Sequence, residues 1–148
     1  MRHEPEPRLL EDFAVGDVFV HRGRRVATEA DRVWFAALTM NGHEMHVGAA
    51  ERGVLPVTWT VAVVVGLTVE DLSLAATANL GWTDISFPAP VRVGDEVRAE
   101  SQVLGVDVDA GTVTFSTTGF NQDGTAVTLL TRTVALRRRS AEKGESDD

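Results

Sequence analysis

From Glu96 onwards the chain alternates apolar and polar residues, and this pattern restricts the fold more than any other feature. Val97, Ala99, Ser101 and Val103 fall on one side, and Arg98, Glu100 and Gln102 on the other. A period of two marks a strand with one face buried. Val113, Phe115 and Thr117 share a face in the next strand, and Val127 to Leu136 supply a last one. Asp109-Ala110-Gly111 is a turn, and Asn121-Gln122-Asp123-Gly124 is a hairpin turn with Gly for the unusual φ. A meander with one apolar face must cover that face with another layer.

The first half supplies the cover. Val15-Gly16-Asp17 and Val93-Gly94-Asp95 are two similar Gly-containing turns, each launching a strand. Val18 to Val26 reads as a first strand. Thr28-Glu29-Ala30-Asp31 then resembles a capping box, and Val33, Trp34, Ala37 and Leu38 form a helical stripe, so a helix is expected over Thr28 to Leu38. Thr39 to Gly53 is a polar loop with room for a helical turn at its end. Val57 to Leu67 is apolar throughout. Its β-branched residues suit a strand, and its length suits a helix wrapped inside a sheet, so propensity leaves both open. Thr77 to Phe87 is a strand punctuated by Pro88 and Pro90. The class is α+β, a single domain over residues 9–138. Residues 1–8 are expected to be a flexible segment and 139–148 a disordered acidic tail.

Composition removes several functions. The chain has 148 residues, with 14 Lys+Arg against 22 Asp+Glu and a formal charge of −8. That balance opposes a general nucleic-acid binder, which needs clustered positive charge. With no cysteine there is no disulfide, thiolate metal site or cysteine nucleophile. The N-terminal stretch has no apolar run of the kind a secretory signal needs, so a cytoplasmic location is expected. The longest apolar stretch, Val54 to Leu67, is too short to span a bilayer and holds Pro56, Thr58 and Thr60.

Three segments carry a resemblance. Glu11 to Asp17 (EDFAVGD), Ala37 to His46 (ALTMNGHEMH) and Phe87 to Asp95 (FPAPVRVGD) fall in the order and spacing of the MaoC-like, or R-specific enoyl-CoA hydratase, branch of the hot-dog fold. In that fold a curved antiparallel sheet wraps a central helix. The third segment is similar to the family's Phe-x-x-Pro-Val-x-x-Gly-Asp. The second stands where the family carries Leu-Thr-Gly-Asp-x-Asn-Pro-x-His. Leu38-Thr39-Met40-Asn41 looks like a variant of it found in a branch similar to mesaconyl-CoA hydratases.

The resemblance implies reversible addition of water to a 2-enoyl thioester, carried by coenzyme A or an acyl carrier protein, with no cofactor. The chemistry needs a proton-transfer group and donors for the enolate oxygen. The family's His falls on His46, which is the implied acid/base. Its Asp position holds Asn41, which can orient water but cannot exchange a proton near neutral pH. Its Asn-Pro pair is replaced by His43-Glu44, which are possible assistants. The family's Gly at the start of the central helix is missing, and Pro56 has no N–H, so the oxyanion donors would be Val57 and Thr58. Met40, Met45 and Trp59 would line an apolar acyl pocket. A homodimer or higher homo-oligomer is implied, because hot-dog sheets pair edge to edge, and a heterodimer is compatible.

Plainer readings stand beside these. His46 could be a hydrogen-bonded loop histidine, and Asn41 a turn residue tolerant of left-handed φ. His43 and His46 with Glu44 and Glu51 do not fix a third ligand by spacing, so no metal is expected. Trp34, Trp59 and Trp82 read as core or tunnel lining. The basic spots Arg22, Arg24, Arg25 and Arg137 to Arg139 read first as solvated charges, and second as contacts for coenzyme A phosphates or an acidic carrier. Two other functions compete: a non-catalytic or partner-dependent subunit that binds an acyl chain, and a hot-dog thioesterase. The second is disfavoured because Val57 to Leu67 contains no carboxylate.

Overall fold

The computed structural model describes residues 6–49 and 53–139; the expected acidic tail from residue 140 and the Glu51 of the metal reading lie outside them. The alternating segments form the long strands of one antiparallel sheet. They are β3 (Ala76–Ser86), β4 (Glu96–Asp107), β5 (Thr112–Phe120) and β6 (Ala126–Leu136). Two short strands, β1 (Val18–Val20) and β2 (Arg25–Val26), both pair with β4, and the order across the sheet is β1-β4-β5-β6-β3. The helices are α1 (Glu29–Leu38), α2 (Glu44–Val47) and α3 (Val57–Leu72).

The expected single strand over Val18 to Val26 is interrupted. Val20 pairs with Glu100 and Arg25 with Val97, so the four residues between them on one strand face two on the other and two bulge out. His21 turns inward within this bulge. Its Nδ1 lies 2.7 Å from Asp71 Oδ2 and its Nε2 2.9 Å from Ser101 Oγ, which in turn lies 2.8 Å from Thr117 Oγ1. This chain of polar groups ties the end of α3 to β4 and β5. Arg8, expected in the flexible segment, joins it by donating to the Asp71 carbonyl at 3.0 Å.

The ambiguous apolar segment is a helix, and it runs past the expected end at Leu67 to Leu72. Context overrides β-propensity here: a helix that is apolar on most sides fits inside a wrapped sheet. Trp59, Thr60, Val61, Val64, Thr68 and Leu72 are its buried residues. The side chains expected on one sheet face, Val97, Ala99, Ser101, Val103, Val113, Phe115 and Thr117, are all buried. At 25 cal/mol per Å², burying each large apolar side chain contributes about 1.5–3 kcal/mol. Gly119 lets α3 press onto β5, since a Cβ there would stand 2.5 Å from Val64 Cγ2. One α+β hot-dog domain results, with the central helix inside the sheet.

α1 corrects one expectation. Its Thr28 cap and Asp31 form the predicted box, with Asp31 N–H donating to Thr28 Oγ1 at 3.1 Å and Thr28 N–H to Asp31 Oδ2 at 2.9 Å. Its stripe, however, faces outward. Val33, Trp34 and Leu38 are exposed, and Arg32 and Ala36 are buried instead. Trp34 is therefore not core. The helical turn expected at the end of the polar loop lies in its middle, as α2.

Candidate active site

α1 closes with a C-terminal hydrogen-bond pair that fixes Asn41. Met40 N–H donates to the Ala37 carbonyl at 3.2 Å, and Asn41 N–H to the Ala36 carbonyl at 2.8 Å. This 5→2, 6→1 pattern needs a left-handed residue between. Met40 fills that place at φ +57°, a position that glycine usually takes. The left-handed residue is thus Met40 and not Asn41. Met40 is turned outward and is 91% exposed.

α2 is a single turn that presents His46. Its N-cap is His43, whose Nδ1 accepts from Met45 N–H at 3.2 Å. His46 Nδ1 lies 2.9 Å from the Val54 carbonyl oxygen. A carbonyl can only accept, so Nδ1 carries a proton, and in the neutral ring the lone pair is on Nε2. The His46 backbone carbonyl accepts from Arg32 Nη1 at 2.5 Å.

α3 begins beside this ring. Trp59 and Thr60 N–H donate to the Pro56 carbonyl, at 2.9 and 3.2 Å. The N–H groups of Val57 and Thr58 come before the first intrahelical bonds and stand at the positive end of the helix dipole. Pro56 is the N-cap, and before it the Leu55 N–H donates to the Val91 carbonyl of the adjoining segment at 2.9 Å.

These pieces surround one cleft of about 360 Å³. Asn41, Met45 and His46 form one wall, Val54 to Thr58 a second, and Phe87, Ala89 and Pro90 a third. The volume is in the range of a small-molecule site, mostly apolar with a few polar groups. His46 is its only titratable lining residue among those described. The expected Asn41, Met45, His46, Val57 and Thr58 are therefore brought together.

Other expected residues fall elsewhere. Met40 is at the surface, and Trp59 is 4% exposed, in the core and beside a separate groove with Trp34, Phe35 and Leu38. His43 and Glu44 line an adjoining hollow of about 320 Å³ with Gly53 and Arg92, and the His43 ring centre lies 6.1 Å from that of His46. No group of three or more His, Cys, Asp or Glu that could hold a metal occurs among the described residues. Sequence reading missed the Phe87–Pro90 wall, although the Phe-x-x-Pro segment was the signal for it. It also missed Arg32. No described helix is long and apolar enough to cross a membrane.

A sheet wrapped on a central helix, with a His-bearing loop against that helix's N-terminus, defines the MaoC-like hot-dog class. Residues 4–147 match the family model described as mesaconyl-CoA hydratase, and the chain belongs to that family. It is 34% identical over 143 residues to the mesaconyl-CoA hydratase of Cereibacter sphaeroides, covering 89% of this chain and 42% of the relative. It is 33% identical over 142 residues to the β-methylmalyl-CoA dehydratase of Chloroflexus aurantiacus, covering 88% and 40%. The fold superposes with a TM-score of 0.79 on a MaoC domain protein dehydratase from Chloroflexus aurantiacus, at 29% identity over 100% of this chain and 46% of the other. The chain thus spans under half the length of these three relatives.

Proposed function

We propose that this chain catalyses reversible addition of water to the double bond of a 2-enoyl-CoA thioester, with mesaconyl-CoA as the first substrate to try. The observation that carries the reading is the convergence of His46, Asn41 and the N-terminus of α3 on one cleft. Two relatives named for hydration and dehydration of CoA thioesters support it.

The thioester oxygen sits at the Val57 and Thr58 N–H groups. Developing enolate charge is stabilised there by two donors and the helix dipole. Water is oriented by the Asn41 amide and by His46 Nε2. As the water oxygen bonds to Cβ, His46 Nε2 takes one of its protons. The imidazolium, kept in register by its Nδ1–H bond to Val54, returns that proton to Cα as the enolate collapses. OH is added to Cβ, H to Cα, and the imidazole is restored. A single histidine closes the cycle, so Asn41 need not ionise.

A second reading has support in Asn41, where the wider MaoC-like class has a carboxylate, and in the half-length match to the curated relatives: a subunit that needs a partner for activity. The test is direct. The purified chain is incubated with mesaconyl-CoA and with a short straight-chain 2-enoyl-CoA, and gain of one water is followed by mass spectrometry. Turnover is expected, falling at least about 100-fold in His46→Ala. No turnover by the chain alone with either thioester sinks the self-sufficient enzyme.

A further inference from the structure

Arg32 is the unexpected residue on the inward face of α1, only 3% exposed. A guanidinium removed from water needs partners for its N–H groups. Its Nε donates to Glu29 Oε2 at 3.0 Å, and its Nη2 donates to Glu29 Oε1. The hydrogen bonds from Arg32 hold the Glu29 carboxyl below its usual range. Those bonds also raise Arg32 against the opposing effect of burial, so the pair stays charged. The remaining arm, Nη1, donates to the backbone carbonyl of His46.

The stem of the same side chain lies on Gly53. A Cβ at Gly53 would stand 2.5 Å from both Arg32 Cδ and Nε. Gly53 precedes Val54, whose carbonyl holds His46 Nδ1. One side chain therefore touches both supports of the imidazole: the peptide that carries it, and the segment that orients it. α2 is a single turn and cannot hold its own position.

We propose that Arg32 is the positioning residue for His46, and that Glu29 holds Arg32 in place. The inference rests on His46 as the proton-transfer group. Without Arg32 the ring shifts relative to the α3 N-terminus, and a displacement near 1 Å costs about 100-fold in rate. KM, set by the rest of the cleft, changes little.

The test uses the full chain with mesaconyl-CoA as probe, in Arg32→Lys, Arg32→Gly with and without guanidinium ion, and Glu29→Gln. Nitrogen NMR of the His46 ring is recorded for each. Arg32→Lys is expected to lower kcat about 10- to 100-fold, with KM within about threefold of the parent. Guanidinium restores part of the kcat of Arg32→Gly and does nothing to the parent. Glu29→Gln shows a smaller loss in the same direction. The ring spectrum passes from a single Nδ1–H form to a mixture in the Arg32 variants.

Parental kcat together with an unchanged ring spectrum overturns the proposal. So does a loss of kcat that guanidinium does not repair while the ring spectrum is unchanged, since that is general destabilisation. Should the Arg32 variants not fold by circular dichroism, Glu29→Gln decides, because the Glu29 side chain is 56% exposed and dispensable to packing. If the parent hydrates no enoyl-CoA, the reading of the site fails, and the ring spectrum alone then decides whether Arg32 orients His46.

Discussion

In the proposed mechanism Asn41 sets the terms of proton transfer in the cleft. Its amide can donate to and accept from water but keeps its protons near neutral pH, so it can order water without exchanging a proton. In the proposed mechanism Asn41 is therefore a water-holding group, and His46 is the only titratable lining residue among those described. Asn41→Ala is therefore expected to lower kcat about 10- to 100-fold; its backbone N–H still closes α1, and its Oδ1 gives up only a long 3.4 Å bond from His43 N–H. Steady-state kinetics with mesaconyl-CoA check this; a parental kcat would remove Asn41 from the mechanism. At this scale the residues that the motif singles out, His46, Asn41, Val57 and Thr58, line one cleft because each is fixed by its spacing from a helix end. Met40 and Trp59 were assigned by chemical type alone. Helix geometry overrules type: Trp59 is rotated by 100° from Thr58, which carries it from the cleft into the core. The left-handed turn at Met40 throws that side chain outward.

Among elements, α1 separates what local sequence can state from what it cannot. Its capping box was legible because both partners lie within one turn. Its buried face was not. Periodicity identifies a helix, but which stripe goes inward depends on what packs against it, and here the loop around His46 recruits Arg32. The strand break after Val20 was hidden for a similar reason, since it depends on a register with β4 that lies distant in sequence. The cap itself can be tested by pH. Burial pushes Asp31 up, but the Thr28 N–H and hydroxyl, aided by Arg25, outweigh it and hold Asp31 below its ordinary value of 3.8. A lowered folded-state value contributes stability that is present above 3.8 and is lost as pH falls through the folded value. Thr28→Ala is thus expected to cost about 1 kcal/mol at neutral pH. Urea titrations at pH 7 and near pH 3 should find the gap between parent and variant narrowing in acid. A gap that widens contradicts the assignment.

For the whole molecule, the two edges of the sheet differ. The β1 side is short and broken by its bulge, which discourages pairing with another strand. The β3 side is eleven residues long, pairs only with β6 among the described residues, and is exposed along its full length. Leu80, Trp82, Ile85 and Phe87 are large apolar residues in and just after it that have not been buried. A long exposed edge with apolar side chains is a template for another strand. A second copy carries the same edge, so two antiparallel β3 strands can close a symmetric pair. Light scattering is expected to give twice the monomer mass for the parent at micromolar concentration. Leu80→Lys with Trp82→Lys is expected to give the monomer, because like charges would face each other across the new seam. The double variant should keep its secondary structure, since neither residue is buried. A parent that remains monomeric would show that β3 is reserved for a different partner, and a double variant that still dimerises would move the interface to the outward stripe of α1.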